Sequence, residues 1–177
     1  MVYKANRYCH ENGYERTSVW TFAKKNTGKY SSITRDNFLG FGVSATTLLK
    51  DQFKINTFSI NEYTKRVEEE KLPTALTLKF SLRQRMVYYL FWNVYSLKID
   101  PQKFKKFFGV SLNKVFGLEL LFCRILGFIR VKDNVYYVTE RGAYYYHYIE
   151  QVYTTAYIDK MWNVLRMTLF PTEIVLK

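Results

Sequence analysis

The chain has 177 residues, 48% of them hydrophobic and 19% aromatic, which is enough to bury the core of one ordinary domain, or of a small domain plus part of another, and argues against disorder. Its 27 lysines and arginines against 15 aspartates and glutamates leave a formal net charge of +12, a surface that attracts polyanions such as nucleic acid, acidic protein faces or poly-carboxylate ligands. No apolar run approaches the roughly 20 residues that span a bilayer and no signal peptide opens the chain, so neither membrane insertion nor secretion is indicated and a cytoplasmic protein is expected.

Residues 2–12 have helix-compatible spacing, with Ala5, Tyr8 and Cys9 on one side and Gly13 as a C-cap. The stretch Tyr14–Phe22 is rich in β-branched and aromatic residues and predicts a strand. Lys24–Thr34 is polar, carries Asn26-Thr27-Gly28 as a turn, and clusters Lys24, Lys25, Lys29 and Arg35 around it. Phe38-Leu39 predicts a short buried strand that runs on through Gly40-Phe41-Gly42-Val43-Ser44-Ala45-Thr46. There the two glycines remove bulk where a ligand could approach the backbone, and a bulged structural strand accounts for the same residues equally well. Gln52–Phe58 alternates as an extended segment, and Ser59 with Glu62 three residues on forms a capping box for a helix to about Glu70. Leu72-Pro73 ends it, and a domain boundary is placed there.

From Ser81 onward the pattern turns helical. Ser81 caps a helix with Leu82, Met86, Tyr89, Leu90, Val94 and Leu97 on one stripe, and Asp100-Pro101 opens a short helix carrying Phe104, Phe107 and Phe108 that stops at Gly109. Ser111 caps a third helix, with Val115, Leu118, Leu121, Phe122 and Ile125 expected to face inward. Two β runs, Phe128–Lys132 and Val135–Val138, follow with Asp133-Asn134 between them as a tight hairpin link, and Thr139 caps a long helix to about Met167. Three helices and a hairpin make a winged-helix-like arrangement, and binding of nucleic acid through the third helix and wing is one reading of it. That helix offers only Lys114 and Arg124 as cations, with Asn113 as its main candidate for a base edge, which favours packing against protein.

No nucleophile elbow, Walker loop or zinc-binding His pair is present, so no catalytic or metal-ligating residue is assigned; His10 and His147 are expected at the surface or packed on aromatic rings. Cys9 and Cys123 have no paired spacing and are expected as reduced thiols. The glycine stretch does not fit a dinucleotide fingerprint, because residues 47–58 do not form the helix whose N-terminus would hold the pyrophosphate.

The succession Gly13-Tyr14-Glu15, Trp20-Thr21-Phe22-Ala23, Leu39-Gly40-Phe41-Gly42-Val43-Ser44-Ala45, the Asn56–Tyr63 segment and the closing Val138-Thr139-x-x-Gly142 resembles the C-terminal part of the oxygen-independent coproporphyrinogen III oxidase family of radical S-adenosylmethionine enzymes. The resemblance covers nearly the whole chain. It implies an α+β fold, with residues 1–72 as the last strand and helix elements of a truncated radical SAM barrel and 73–177 as a winged-helix-like C-terminal domain. In the parent it implies a [4Fe–4S] cluster and S-adenosylmethionine, and oxidative decarboxylation of substrate propionates to vinyl groups. A radical SAM haem-degrading or haem-handling activity of the same superfamily is the alternative. Gly40, Gly42, Ser44, Ala45 and Thr46 match the family's cofactor-binding strand; at Thr46 the family usually carries a larger aliphatic residue. The cluster's Cys-x-x-x-Cys-x-x-Cys motif is absent, so the chain by itself is expected to bind no cofactor and to be inactive without its partner, the missing N-terminal barrel. The basic loop would suit the tetrapyrrole's carboxylates.

Overall fold

The computed structural model describes residues 2–27 and 36–172. Lys29 and Arg35 of the expected basic cluster, with Gly28, lie outside them. The fold is α+β: seven α-helices and three small antiparallel sheets among the described residues. Two compact units arise, each from two stretches of sequence: Met1–Arg35 with Tyr88–Ile149, and Asp36–Val87 with Glu150–Lys177. Pro73 lies within the second unit, immediately before a strand of its sheet.

In the first unit, α1 (Val2–Glu11) leads into β1 (Tyr14–Arg16) and β2 (Phe22–Lys24), which pair antiparallel. The single strand expected over Tyr14–Phe22 is therefore a hairpin. Ser18 turns it: its hydroxyl accepts the amides of Trp20 and Thr21 at 3.3 and 3.1 Å, while the Arg16 guanidinium donates to the carbonyls of Ser18 and Val19. These local bonds compete with the strand ladder that the β-branched residues favour.

The helical segment follows the capping signals except at Ser111, which precedes α5 but makes no side-chain bond to it. Ser81 and Gln84 exchange bonds ahead of α3 (Leu82–Tyr95), whose second half, from Tyr88, belongs to this unit. The Asp100 carboxylate accepts the amides of Gln102 and Lys103 to start α4 (Pro101–Phe108). α5 spans Leu112–Ile125. Tyr89, Phe104, Leu112, Phe116 and Leu120 form the buried interior here, with Tyr89 stacked on Phe107 and edge-on to Phe104 and Phe108.

The inward face expected for α5 is the wrong one. Leu112, Phe116 and Leu120 are buried, and Leu118, Leu121, Phe122 and Ile125 are exposed. Phe116 leaves helical geometry (φ −126°, ψ 24°), yet Leu112, Phe116 and Leu120 stay on one buried side across it, while Val115 of the expected face is half-buried. Leu82, at the start of the expected α3 stripe, is likewise exposed.

β7 (Ile129–Lys132) and β8 (Val135–Val138) form the expected hairpin, with Asp133 and Asn134 both at positive φ as a two-residue turn requires. A third strand that periodicity does not reveal, β6 (Lys98–Ile99), pairs with β8, giving the order β6-β8-β7. Ile99, Ile129 and Tyr136 are buried on one face, and the Tyr136 hydroxyl donates to Asn113 on α5 at 2.8 Å. Thr139 caps α6 (Glu140–Tyr153) as expected, accepting the Gly142 amide and donating to the Gly127 carbonyl. Gly142 is obligatory: a Cβ there would stand 2.1 Å from the Phe128 carbonyl oxygen.

In the second unit, β3 (Thr46–Leu49), β4 (Gln52–Asn56) and β5 (Thr74–Lys79) make an antiparallel sheet in chain order. Ser59 caps α2 (Ile60–Glu68) through the amide of Glu62, as the capping box predicts. β5 follows the Pro73 break, where the sequence shows no comparable signal. The long final helix is interrupted: a π-helical segment, Thr154–Ile158, separates α6 from α7 (Asp159–Met167). Ile55, Ala75 and Leu165 are the buried centre of this unit, with Phe53, Phe58, Leu76, Met161 and Phe170 packed around them.

Candidate functional site

The glycine stretch is a braced turn. Phe38 exchanges both backbone bonds with Leu48 in an isolated bridge, and the chain then reverses through Gly42, Val43 and Ser44 to enter β3 at Thr46. Gly42 and Ser44 have φ of 100° and 58°, which breaks the extended run that the sequence predicts as a strand. Gly40 is needed for a reason unrelated to any ligand: a Cβ there would meet the Thr46 carbonyl oxygen at 2.1 Å.

Alternate amides of the turn are consumed by the fold. Gly40 N donates to the Thr47 hydroxyl at 3.0 Å, Gly42 N to the Tyr63 hydroxyl at 3.1 Å and Ser44 N to the Thr57 carbonyl at 2.9 Å. The Asn56 amide side chain donates to the Gly42 carbonyl at 3.0 Å, and the Asn56 backbone amide donates to the Ala45 carbonyl. Asn56 and Thr57 are buried, so the turn is held from beneath by polar groups whose own bonds are satisfied.

At the base of the hairpin, Arg85 is only 4% exposed. Its guanidinium donates to the Lys50 carbonyl at 3.0 Å and the Asp36 carbonyl at 2.9 Å, and Asn37 accepts the Lys50 amide, so the two ends of the loop are clasped together.

Of the five residues singled out from sequence, the structure thus brings all into one turn, with Ser44 at its exposed side and Thr46 paired to Ile55. The amides of Gly40, Gly42 and Ser44 are turned inward. The groups left to meet a ligand are the backbone of Phe41 and Val43 and the Phe41 ring, which is 85% exposed. No charged residue lies between Leu39 and Leu49, so this surface would recognise a ligand through backbone dipoles and a flat apolar contact. Asn56, Thr57, Tyr63 and Arg85 hold the turn without any motif that sequence inspection could weigh, because each acts across 12 or more residues or from another element.

Nothing in this arrangement suits an iron–sulfur cluster. Among the described residues no three His, Cys, Asp or Glu side chains come together to hold a metal ion, and Cys9 and Cys123 are free thiols on α1 and α5. Burial, with Glu119 nearby, pushes the Cys123 thiol up from its ordinary value and so disfavours the thiolate a ligand must supply. No step through a cluster is assigned to these residues. Of the two histidines, His10 is exposed and His147 packs edge-on against Trp20, ring centroids 3.8 Å apart.

The architecture has a likeness among solved structures. A solved structure similar to it is coproporphyrinogen III oxidase (HemN) from Escherichia coli, described as a radical SAM enzyme: TM-score 0.61, 16% identity, covering 86% of this chain and 40% of that one. The resemblance inferred from the succession of segments between Gly13 and Gly142 thus holds at the level of the fold, and the chain spans about two fifths of the solved enzyme. No family model matches the chain, and no curated protein matches it in sequence. Among the described residues no helix is long and apolar enough to cross a membrane.

Proposed function

We propose that this chain is the C-terminal part of an oxygen-independent coproporphyrinogen III oxidase-like radical SAM enzyme, with residues 1–72 completing a barrel and 73–177 forming a winged-helix-like C-terminal domain. The fold likeness supports it, and the observation that carries it is the turn at Gly40–Thr46. That turn presents the Phe41 and Val43 backbone on a rigid support, at the residues where the sequence resembles the family's cofactor strand. S-adenosylmethionine with its [4Fe–4S] cluster would supply the radical that removes hydrogen from substrate propionates before their decarboxylation to vinyl groups. The role of this chain is positional: the turn offers backbone donors and acceptors and a flat ring to the nucleoside, and its bracing by Asn56, Thr57 and Tyr63 limits the ordering that binding must impose. The cluster, the remaining contacts and the tetrapyrrole site belong to the barrel that is this chain's proposed partner.

Two measurements test the reading. The coding sequence upstream of Met1 is expected to carry Cys-x-x-x-Cys-x-x-Cys, and its absence there and from any co-expressed chain removes the proposal. The full-length parent, assayed anaerobically, is expected to convert coproporphyrinogen III; turnover of haem in its place would select the haem-degrading alternative.

A further inference from the structure

The solvent face of α5 is apolar. Leu118 is 72% exposed, Leu121 49%, Phe122 63%, Ile125 72% and Leu126 45%. At about 100° per residue these five fill one continuous sector of roughly 140°, the width a helix normally gives to a core. The opposite face of the same helix is already used, by Leu112, Phe116 and Leu120.

Charge says what kind of molecule covers it. The two stretches that make up the first unit hold 16 Lys and Arg against 6 Asp and Glu, net +10, and those of the second hold 11 against 9, net +2. The basic character of the chain is therefore concentrated in the unit that carries α5. Lys114 and Arg124 are on the helix itself with Glu119 as its one acid, α4 packing against it exposes Lys103, Lys105 and Lys106, and β7, which it also contacts, exposes Arg130 and Lys132. A second copy would bring the same positive surround against it. A nucleic-acid groove would leave the leucines and Phe122 facing phosphates, and Asn113, the main base-edge candidate of that helix, accepts the Tyr136 hydroxyl.

We propose that the Leu118–Leu121–Phe122–Ile125 face of α5 docks an amphipathic helix of a separate partner protein, one whose apolar stripe is flanked by Asp and Glu. The apolar stripes supply the affinity, and the cations of α4, α5 and β7 select the acidic flanks and speed the encounter. This stands on α5 alone and does not depend on what the glycine turn binds.

The test uses the whole chain and three fluorescein-labelled synthetic helices, followed by anisotropy at physiological salt. The first carries leucines at i, i+3, i+4 and i+7 flanked by Glu, the second has Lys flanks, and the third is a scrambled version of the first. The Glu-flanked helix is expected to bind at least about tenfold more tightly than either of the others, and Phe122→Ser or Ile125→Ser to weaken it about tenfold. Both positions are exposed, so circular dichroism should be unchanged; each variant checks the other should one fail to fold. Equal binding of the scrambled peptide would reduce the site to general polyanion attraction, and equal binding of the Lys-flanked one would remove the charge selection. Sedimentation showing a dimer that Phe122→Ser abolishes would assign the face to self-association. Any of these three overturns the proposal.

Discussion

At Gly40 the fold leaves no room for a single methyl group, while at Gly42, two residues on, a Cβ meets nothing within 4 Å and only the φ of 100° resists it. The two glycines of one motif therefore serve different ends. Gly40→Ala pushes against backbone that cannot step aside and is expected to cost about 3 kcal/mol in urea denaturation. Gly42→Ala meets only left-handed strain and is expected to cost about 1 kcal/mol. Equal losses would mean that the close contact of Gly40 with β3 is relieved elsewhere. The same scale shows why a glycine-rich motif is ambiguous in sequence: a residue without Cβ is equally required by a ligand and by the chain's own carbonyl.

Helix starts in this chain are not equivalent elements. Asp100 satisfies two amides of α4, whereas Ser111, equally well placed in sequence before α5, makes no side-chain bond to the helix. Asp100→Ala is accordingly expected to cost about 1 kcal/mol of stability and Ser111→Ala to stay within about 0.5 kcal/mol, both measured by thermal or urea unfolding. A loss at Ser111 matching that at Asp100 would show the sequence pattern alone to be sufficient. The strands behave differently from the helices. β7 and β8 announce themselves through Asp133-Asn134, but β6 has only two residues and β5 only a proline before it, and both exist because a distant strand supplies their hydrogen bonds.

For the molecule as a whole, a net charge of +12 attracts polyanions, while the helix that would enter a groove turns leucines and a phenylalanine outward. Binding to random duplex DNA is expected to be measurable at low salt and to weaken beyond about 10⁻⁶ M at physiological salt, following counterion release. Tight binding that survives physiological salt would move α5 and the β7–β8 hairpin back toward nucleic acid. Charge distributed over a surface is visible in composition; its concentration in one of two interleaved units is visible only once the chain has folded.

The sequence by itself determined the capped starts of α2, α3, α4 and α6, the β7–β8 turn, and the likeness in fold to a solved radical SAM enzyme, which the succession of segments from Gly13 to Gly142 carried. These rest on bonds made within a few residues, or on a local string of residue types. Only the tertiary structure decided that Gly40–Thr46 is a turn braced by Asn56, Thr57 and Tyr63, that Arg85 clasps its base, and which side of α5 is buried. For α5 the reason is plain in its composition. Leu112, Phe116 and Leu120 repeat every four residues just as Leu118, Phe122 and Leu126 do, so periodicity proposes two apolar faces, and the choice between them came from what each face had to pack against.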